Sequence, residues 1–106
     1  MKKIAIIGGG AAGYFTAANL GKELGKQTIL FEQSSLPLQK VRVSGGGRCN
    51  VTHACFDPNE LVEFYPRGKK ELLSVFHKFQ PGDTMEWFES RNVPLKIEDD
   101  NRIFPV

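Results

Sequence analysis

Residues 4 to 32 place an apolar run, a glycine turn and an acid in an order that few folds accept. Ile4-Ala5-Ile6-Ile7 is short and continuously apolar, which predicts a parallel strand covered on both faces. Gly8-Gly9-Gly10-Ala11-Ala12-Gly13 follows at once. From Ala11 the pattern becomes helical through Tyr14, Phe15, Ala18 and Leu24, and it stops at Gly25, read as a left-handed cap. A second run, Thr28-Ile29-Leu30-Phe31, ends in Glu32, nineteen residues after Gly13. The expectation is a βαβ unit with parallel strands.

Each glycine of the spaced triplet has a physical task in such a unit. Gly8 permits the tight turn, Gly10 lets a pyrophosphate approach the backbone, and Gly13 lets the helix press on the strand. The helix N-terminus, at Ala11 and Ala12, offers unpaired N–H groups and partial positive charge to the phosphates. Glu32 stands where an acid accepts hydrogen bonds from the adenosine ribose hydroxyls, and it would repel a 2′-phosphate. Dinucleotide binding is the reading, with FAD and NAD both open at this point.

A second glycine segment begins at Leu36 and runs LPLQKVRVSGGGRCN to Asn50. Three consecutive glycines cost up to about 1 kcal/mol each in a regular element relative to Ala. Close approach of a ligand to the backbone would explain that expense, and a flexible surface turn is the alternative.

The opening KKIAIIGGGAAG, the block SGGGRCNVT and the late stretch VPLKIEDDNRIFPV together resemble the N-terminal part of a bacterial flavoprotein family. Its members are described as NAD(FAD)-utilising dehydrogenases and include aminoacetone oxidases and reductases of bile-acid ketosteroids. The resemblance spans nearly the whole chain and implies FAD. It implies that Gly8, Gly10, Ala11, Ala12 and Gly13 hold the pyrophosphate, while Glu32, followed by Gln33, binds the adenosine ribose. Lys40 would lie near the adenosine or phosphate end. Ser44, Gly45, Gly46, Gly47, Arg48, Asn50, Val51 and Thr52 would wrap toward the flavin, with backbone N–H contacts and the Arg48 charge. Two positions depart from the family pattern: His53 and Asn101 stand where relatives commonly carry Asn and Gly.

The resemblance further implies an α/β fold, the N-terminal part of a Rossmann-like FAD/NAD(P)-binding domain. Residues 1–34 would form the βαβ unit, 35–56 the flavin loop and 57–106 a helical segment with short strands. The family chain is several times longer, and this sequence stops at Val106 inside an apolar run, so the expected partner is the rest of a flavoprotein. An FAD-dependent oxidoreductase is the expected function, moving a hydride to or from an amine-bearing carbon or an activated double bond, with NAD(P)H as an electron donor. A non-catalytic nucleotide-binding module and an NAD-only dehydrogenase fragment are the alternatives. No catalytic base and no metal ligand set is assignable.

Composition narrows the field further. With 106 residues, 41% hydrophobic and a net charge of +2, the chain is ordinary for one folded domain and too short for a complete two-domain enzyme. The first half is basic and holds nine of the eleven glycines, while the second is acidic and aromatic. Ile4 to Gly21 lacks charge, yet its glycines and polar residues interrupt any membrane-length apolar block, so no membrane role is expected. Cys49 and Cys55 are separated by five residues, which matches no common zinc spacing, and a reducing cytoplasm is the expected compartment. A redox-active pair is the sharper alternative for them, although flavin disulfide reductases space theirs by four.

Asp57-Pro58-Asn59-Glu60 reads as a helix start, and Pro66-Arg67-Gly68 as its break. A second helix is expected from about Lys69 to Phe79 with Leu72, Leu73, Val75, Phe76 and Phe79 as its apolar stripe. A third is expected from Thr84 to Arg91, after Pro81-Gly82-Asp83, turning Met85, Trp87 and Phe88 inward. Strand-like pieces around an Asp99-Asp100-Asn101 turn close the chain. His77 reads as a surface or hydrogen-bonded structural residue, and Lys69 and Lys70 lack the interleaved aromatics of a nucleic-acid groove, so no nucleic-acid partner is expected.

Overall fold

The computed structural model describes residues 2–106 and divides into two compact units, Met1–Gly47 and Arg48–Val106. The division falls within the second glycine segment, leaving Ser44 to Gly47 in the first unit and Arg48 to Thr52 in the second.

In the first unit β1 (Ile4–Ile7) pairs in parallel with β2 (Thr28–Phe31), Ile4 opposite Thr28 and Ile7 opposite Phe31. The ladder is extended by Ile4 N–H to Gln27 O and Gly8 N–H to Phe31 O, both 2.8 Å. Helix α1 (Ala11–Ala18) packs on both strands. The expected burial of both strand faces is not met. Ile4 and Ile6 are half-buried, but Ile7 is 81% exposed, because α1 supplies a single covering layer and alternate side chains point away from it.

The expected single helix to Gly25 is broken in two. Asn19 closes α1, and α2 (Gly21–Gly25) begins anew after a turn whose left-handed residue is Gly21, φ +76°. Gly25 lies inside α2, so it is not the left-handed cap that the sequence suggested.

After β2, Leu38 N–H returns to Gly9 O at 2.7 Å and starts α3 (Gln39–Gly47). Regular helix ends at Ser44, whose ψ of 149° is extended, and Gly45, Gly46 and Gly47 then take φ of 58°, 69° and 91°. Three successive left-handed residues are what a glycine run permits and other residues resist.

The second unit is built on a three-stranded antiparallel sheet, β3 (Thr52–His53), β5 (Arg102–Pro105) and β4 (Leu95–Ile97), with β5 central. Helix α4 (Pro58–Leu61) starts as expected, the Asp57 carboxylate accepting from Asn59 N–H at 3.0 Å, and it runs into a 3-10 turn at Val62–Phe64. Helix α5 (Lys69–Lys78) follows a left-handed Gly68. Helix α6 (Pro81–Glu89) starts three residues earlier than expected. Gln80 caps it, accepting from Gly82 N–H at 2.7 Å while Asp83 accepts from Gln80 N–H at 2.9 Å, so Pro81 becomes the first helical residue.

The buried core is Leu61, Val62, Ile103 and Phe104, not the expected helical stripe. Leu72, Leu73 and Phe76 are half-buried, but Val75 is 51% and Phe79 38% exposed. The central strand, flanked on both sides, receives the burial that helical periodicity assigned to α5. Asn101 takes the left-handed turn between β4 and β5, φ +68°, as its tolerance for that region allows.

Candidate cofactor site

The β1–α1 junction in the first unit carries the densest set of expected site residues. Gly8 turns the chain at φ +109°. A Cβ on Gly13 would collide with the Gly8 carbonyl oxygen, so the helix reaches the strand only because that side chain is missing. At Gly10 an added Cβ meets nothing within 4 Å, leaving open space in front of the helix start. Gly10 also caps α1 without a side-chain hydrogen bond. The first-turn N–H groups of Ala11, Ala12 and Gly13 therefore face that space with no side-chain acceptor from the cap. A phosphate oxygen is the complementary group there.

Glu32 joins this junction from the end of β2. Its Oε1 accepts from Gly9 N–H at 2.8 Å and its Oε2 from Ser34 N–H at 2.7 Å. Hydrogen bonding from Ser34, by hydroxyl and by N–H, and from Gly9 holds the carboxyl below the usual carboxylate range. The hydroxyl proton is directed to Leu36 O at 2.9 Å, so the two N–H groups sustain that pull. Each carboxylate oxygen keeps acceptor capacity after one bond, enough for a pair of vicinal hydroxyls. Gln33 beside it is exposed.

Sequence reasoning missed Gly9 and Ser34. A Cβ on Gly9 would lie 2.9 Å from Glu32 Cβ, so the middle glycine is what lets the acid reach the turn. The signal was available in the unspaced GGG, where the triplet pattern left one glycine without a task. Ser34, two residues after an acid, has the spacing of a short side-chain-to-backbone turn.

In the second segment, Lys40 is exposed on α3 and Ser44 Oγ donates to Val41 O at 2.8 Å, closing the helical turn before the glycines. In the second unit, Arg48 Nη1 donates to Glu98 Oε1 at 2.6 Å, and its guanidinium lies 3.9 Å from the Phe104 ring centroid. Its charge is thus partly compensated. Asn50 is exposed, and Thr52 pairs with Ile103 in the sheet. Val51 N–H, expected to be offered to a ligand, is instead given to Ile103 O at 2.8 Å because the chain has already joined β5 there.

His53 sits edge-on against Phe64, ring centroids 4.6 Å apart, beside an open acidic groove that includes Cys55, Asp57 and Glu60. Cys49 and Cys55 are free thiols. Asp100 is held by Arg102 through a 2.7 Å ion pair, as a solvated turn residue would be. Among the described residues no group of acids, histidines and cysteines is arranged to hold a metal, and no helix is long and apolar enough to cross a membrane.

The family model of the HI0933-like protein Rossmann domain matches residues 2–106. The ribosomal RNA dihydrouridine synthase of Escherichia coli K12 is 38% identical over 71 residues, 67% of this chain and 18% of that protein. The protein of the same name from Haemophilus influenzae is 41% identical over 71 residues, again 67% and 18%. A 3-dehydro-bile acid delta(4,6)-reductase from Clostridium scindens is 32% identical over 91 residues, 85% of this chain and 22% of the reductase. The chain thus spans 18 to 22% of the length of these relatives.

Proposed function

The chain belongs to the HI0933-like Rossmann-domain family, and on that premise we propose that it forms the FAD-binding start of a flavin-dependent reductase. The observation that carries the reading is the Gly9–Glu32 contact, 2.8 Å, which brings a ribose-type acceptor to the same turn that exposes the α1 N–H groups. Phosphate donors and a hydroxyl acceptor in one rigid constellation suit the ADP half of a dinucleotide. The junction fits that group: Gly10 leaves room for it, and Glu32 is ionised at neutral pH.

Gly8, Gly10, Ala11, Ala12 and Gly13 hold the pyrophosphate in this proposal, and Glu32 the adenosine ribose, with Gln33 and Lys40 on its flank. On the sequence resemblance, Ser44 to Gly47 and Arg48, Asn50 and Thr52 are the flavin-side residues. FAD, when bound, supplies hydride storage between a nicotinamide donor and the substrate. The chain's own part is to bind and orient.

The names of the relatives favour one substrate class. Dihydrouridine and the product of a delta(4,6)-reductase both result from saturating a carbon–carbon bond conjugated to a carbonyl. We therefore propose an activated double bond rather than an amine-bearing carbon, with a uracil base or a small enone as its carrier; the uracil alternative sets aside the expectation of no nucleic-acid partner, which rested on Lys69 and Lys70 alone.

The test is the visible spectrum of the purified protein, followed by mass identification of what denaturation releases. Bound FAD that bleaches anaerobically with NADH or NADPH, and recovers its colour with uridine-containing ribosomal RNA or a conjugated dienone, is the expected result. Colourless protein that takes up no FAD would overturn the flavin reading. Flavin that neither donor nor substrate affects would make the chain part of a passive nucleotide-binding module.

A further inference from the structure

We propose that Glu98 is a positioning residue of the cofactor site, acting through Arg48 on the backbone of residues 48–51; the proposal rests on the flavoprotein reading above. Arg48 is held from two directions, by Glu98 Oε1 at 2.6 Å and by the Phe104 ring at 3.9 Å from its centroid. Both holders are themselves fixed. Glu98 N–H donates to Arg102 O at 2.8 Å just past β4, and Phe104 is only 3% exposed within β5.

Three residues after Arg48, Val51 N–H is bound to Ile103 O at 2.8 Å. Residues 48–51 are therefore attached at both ends to one sheet. Between the attachments Cys49 takes φ 65°, a left-handed conformation that a non-glycine residue holds only at a cost. Such a conformation persists where its surroundings over-determine it, and the two attachments do so here. Releasing Arg48 would let Cys49 relax and would move the Asn50 backbone out of the arrangement proposed to meet the flavin.

Hydrogen bonding from Arg48 holds the Glu98 carboxyl below its usual range, so the clamp is charged at neutral pH. Lys96 Nζ lies 3.7 Å from the other carboxylate oxygen. It does not touch residues 48–51 through this pair, which makes it the natural control.

The experiment uses the flavin-loaded protein and follows cofactor dissociation by the recovered fluorescence of free flavin. Glu98→Ala is expected to weaken flavin binding about fivefold. Glu98→Gln, whose amide oxygen still accepts from Arg48, should stay within about twofold of the parent. Glu98→Ala added to Arg48→Met should weaken binding no further, and Lys96→Ala should leave it unchanged. Equal losses in the Ala and Gln variants, or a Glu98→Ala loss that persists beside Arg48→Met, would overturn the positioning role alone. Protein that neither carries nor takes up flavin would overturn the flavoprotein reading and this proposal with it.

Discussion

Gly9 donates its N–H to Glu32 Oε1 at 2.8 Å across 23 residues of sequence, and the same glycine leaves no space for a side chain against Glu32 Cβ. The contact ties the turn after β1 to the end of β2 by a charged hydrogen bond, stronger than a neutral one. Any change at Gly9 acts on both strands.

Gly9→Ala should therefore displace Glu32 and strain the turn, costing about 1–3 kcal/mol as overpacked sites do. Thermal unfolding and flavin release, measured on the same variant, check it. An unchanged melting temperature with full flavin content would remove Gly9 from the site.

Gly10 and Gly13 should behave oppositely. Gly13→Ala drives a methyl into the Gly8 carbonyl oxygen and should destabilise the fold by several kcal/mol, on the order of the severe class of single substitutions. Gly10→Val meets open space within the chain, so circular dichroism should stay native while cofactor retention is lost. Full flavin content in Gly10→Val would show that the phosphates lie elsewhere.

Acid should act on the turn through Glu32. Its carboxyl lies below the ordinary value of 4.5 because Ser34 and Gly9 hydrogen-bond the charged form. A carboxyl depressed in the folded state contributes stability above its unfolded value, lost as pH falls through the folded one. Protection of the Gly9 and Ser34 amides from hydrogen exchange, taken relative to their intrinsic rates, should fall only below the usual carboxylate range, and Glu32→Gln should flatten that dependence. A transition near neutral pH would assign the switch to another group.

Ile103, fully buried at the centre of the second unit, should be its most sensitive apolar position. Ile103→Ala is expected to cost about 2–5 kcal/mol. Val75→Ser on the exposed side of α5 should stay within about 0.5 kcal/mol. Urea unfolding of the three proteins compares them, and equal midpoints for the two variants would contradict the burial described here.

Part of each unit was legible because its determinants are local. The β1–α1 turn, the Asp57 cap and the left-handed Asn101 each follow from backbone sterics and hydrogen bonds within a few residues, and the residue types announce them. The break at Gly21 was less legible, since an apolar pattern continues across it to Leu24 and periodicity does not register one left-handed residue.

The amino-acid order by itself determined the glycine turn after β1, the two strands that flank the first helix, and that an acid closes the second strand; it did not announce helix α3, which stands where a loop was expected. Tertiary structure alone decided that Ile103 and Phe104, not the α5 stripe, form the core. It alone gave the Val51 N–H to Ile103 and matched Arg48 with Glu98, fifty residues away. The reason is that burial and long-range pairing depend on which surfaces meet after the chain folds back, and no window of neighbouring residues contains that information.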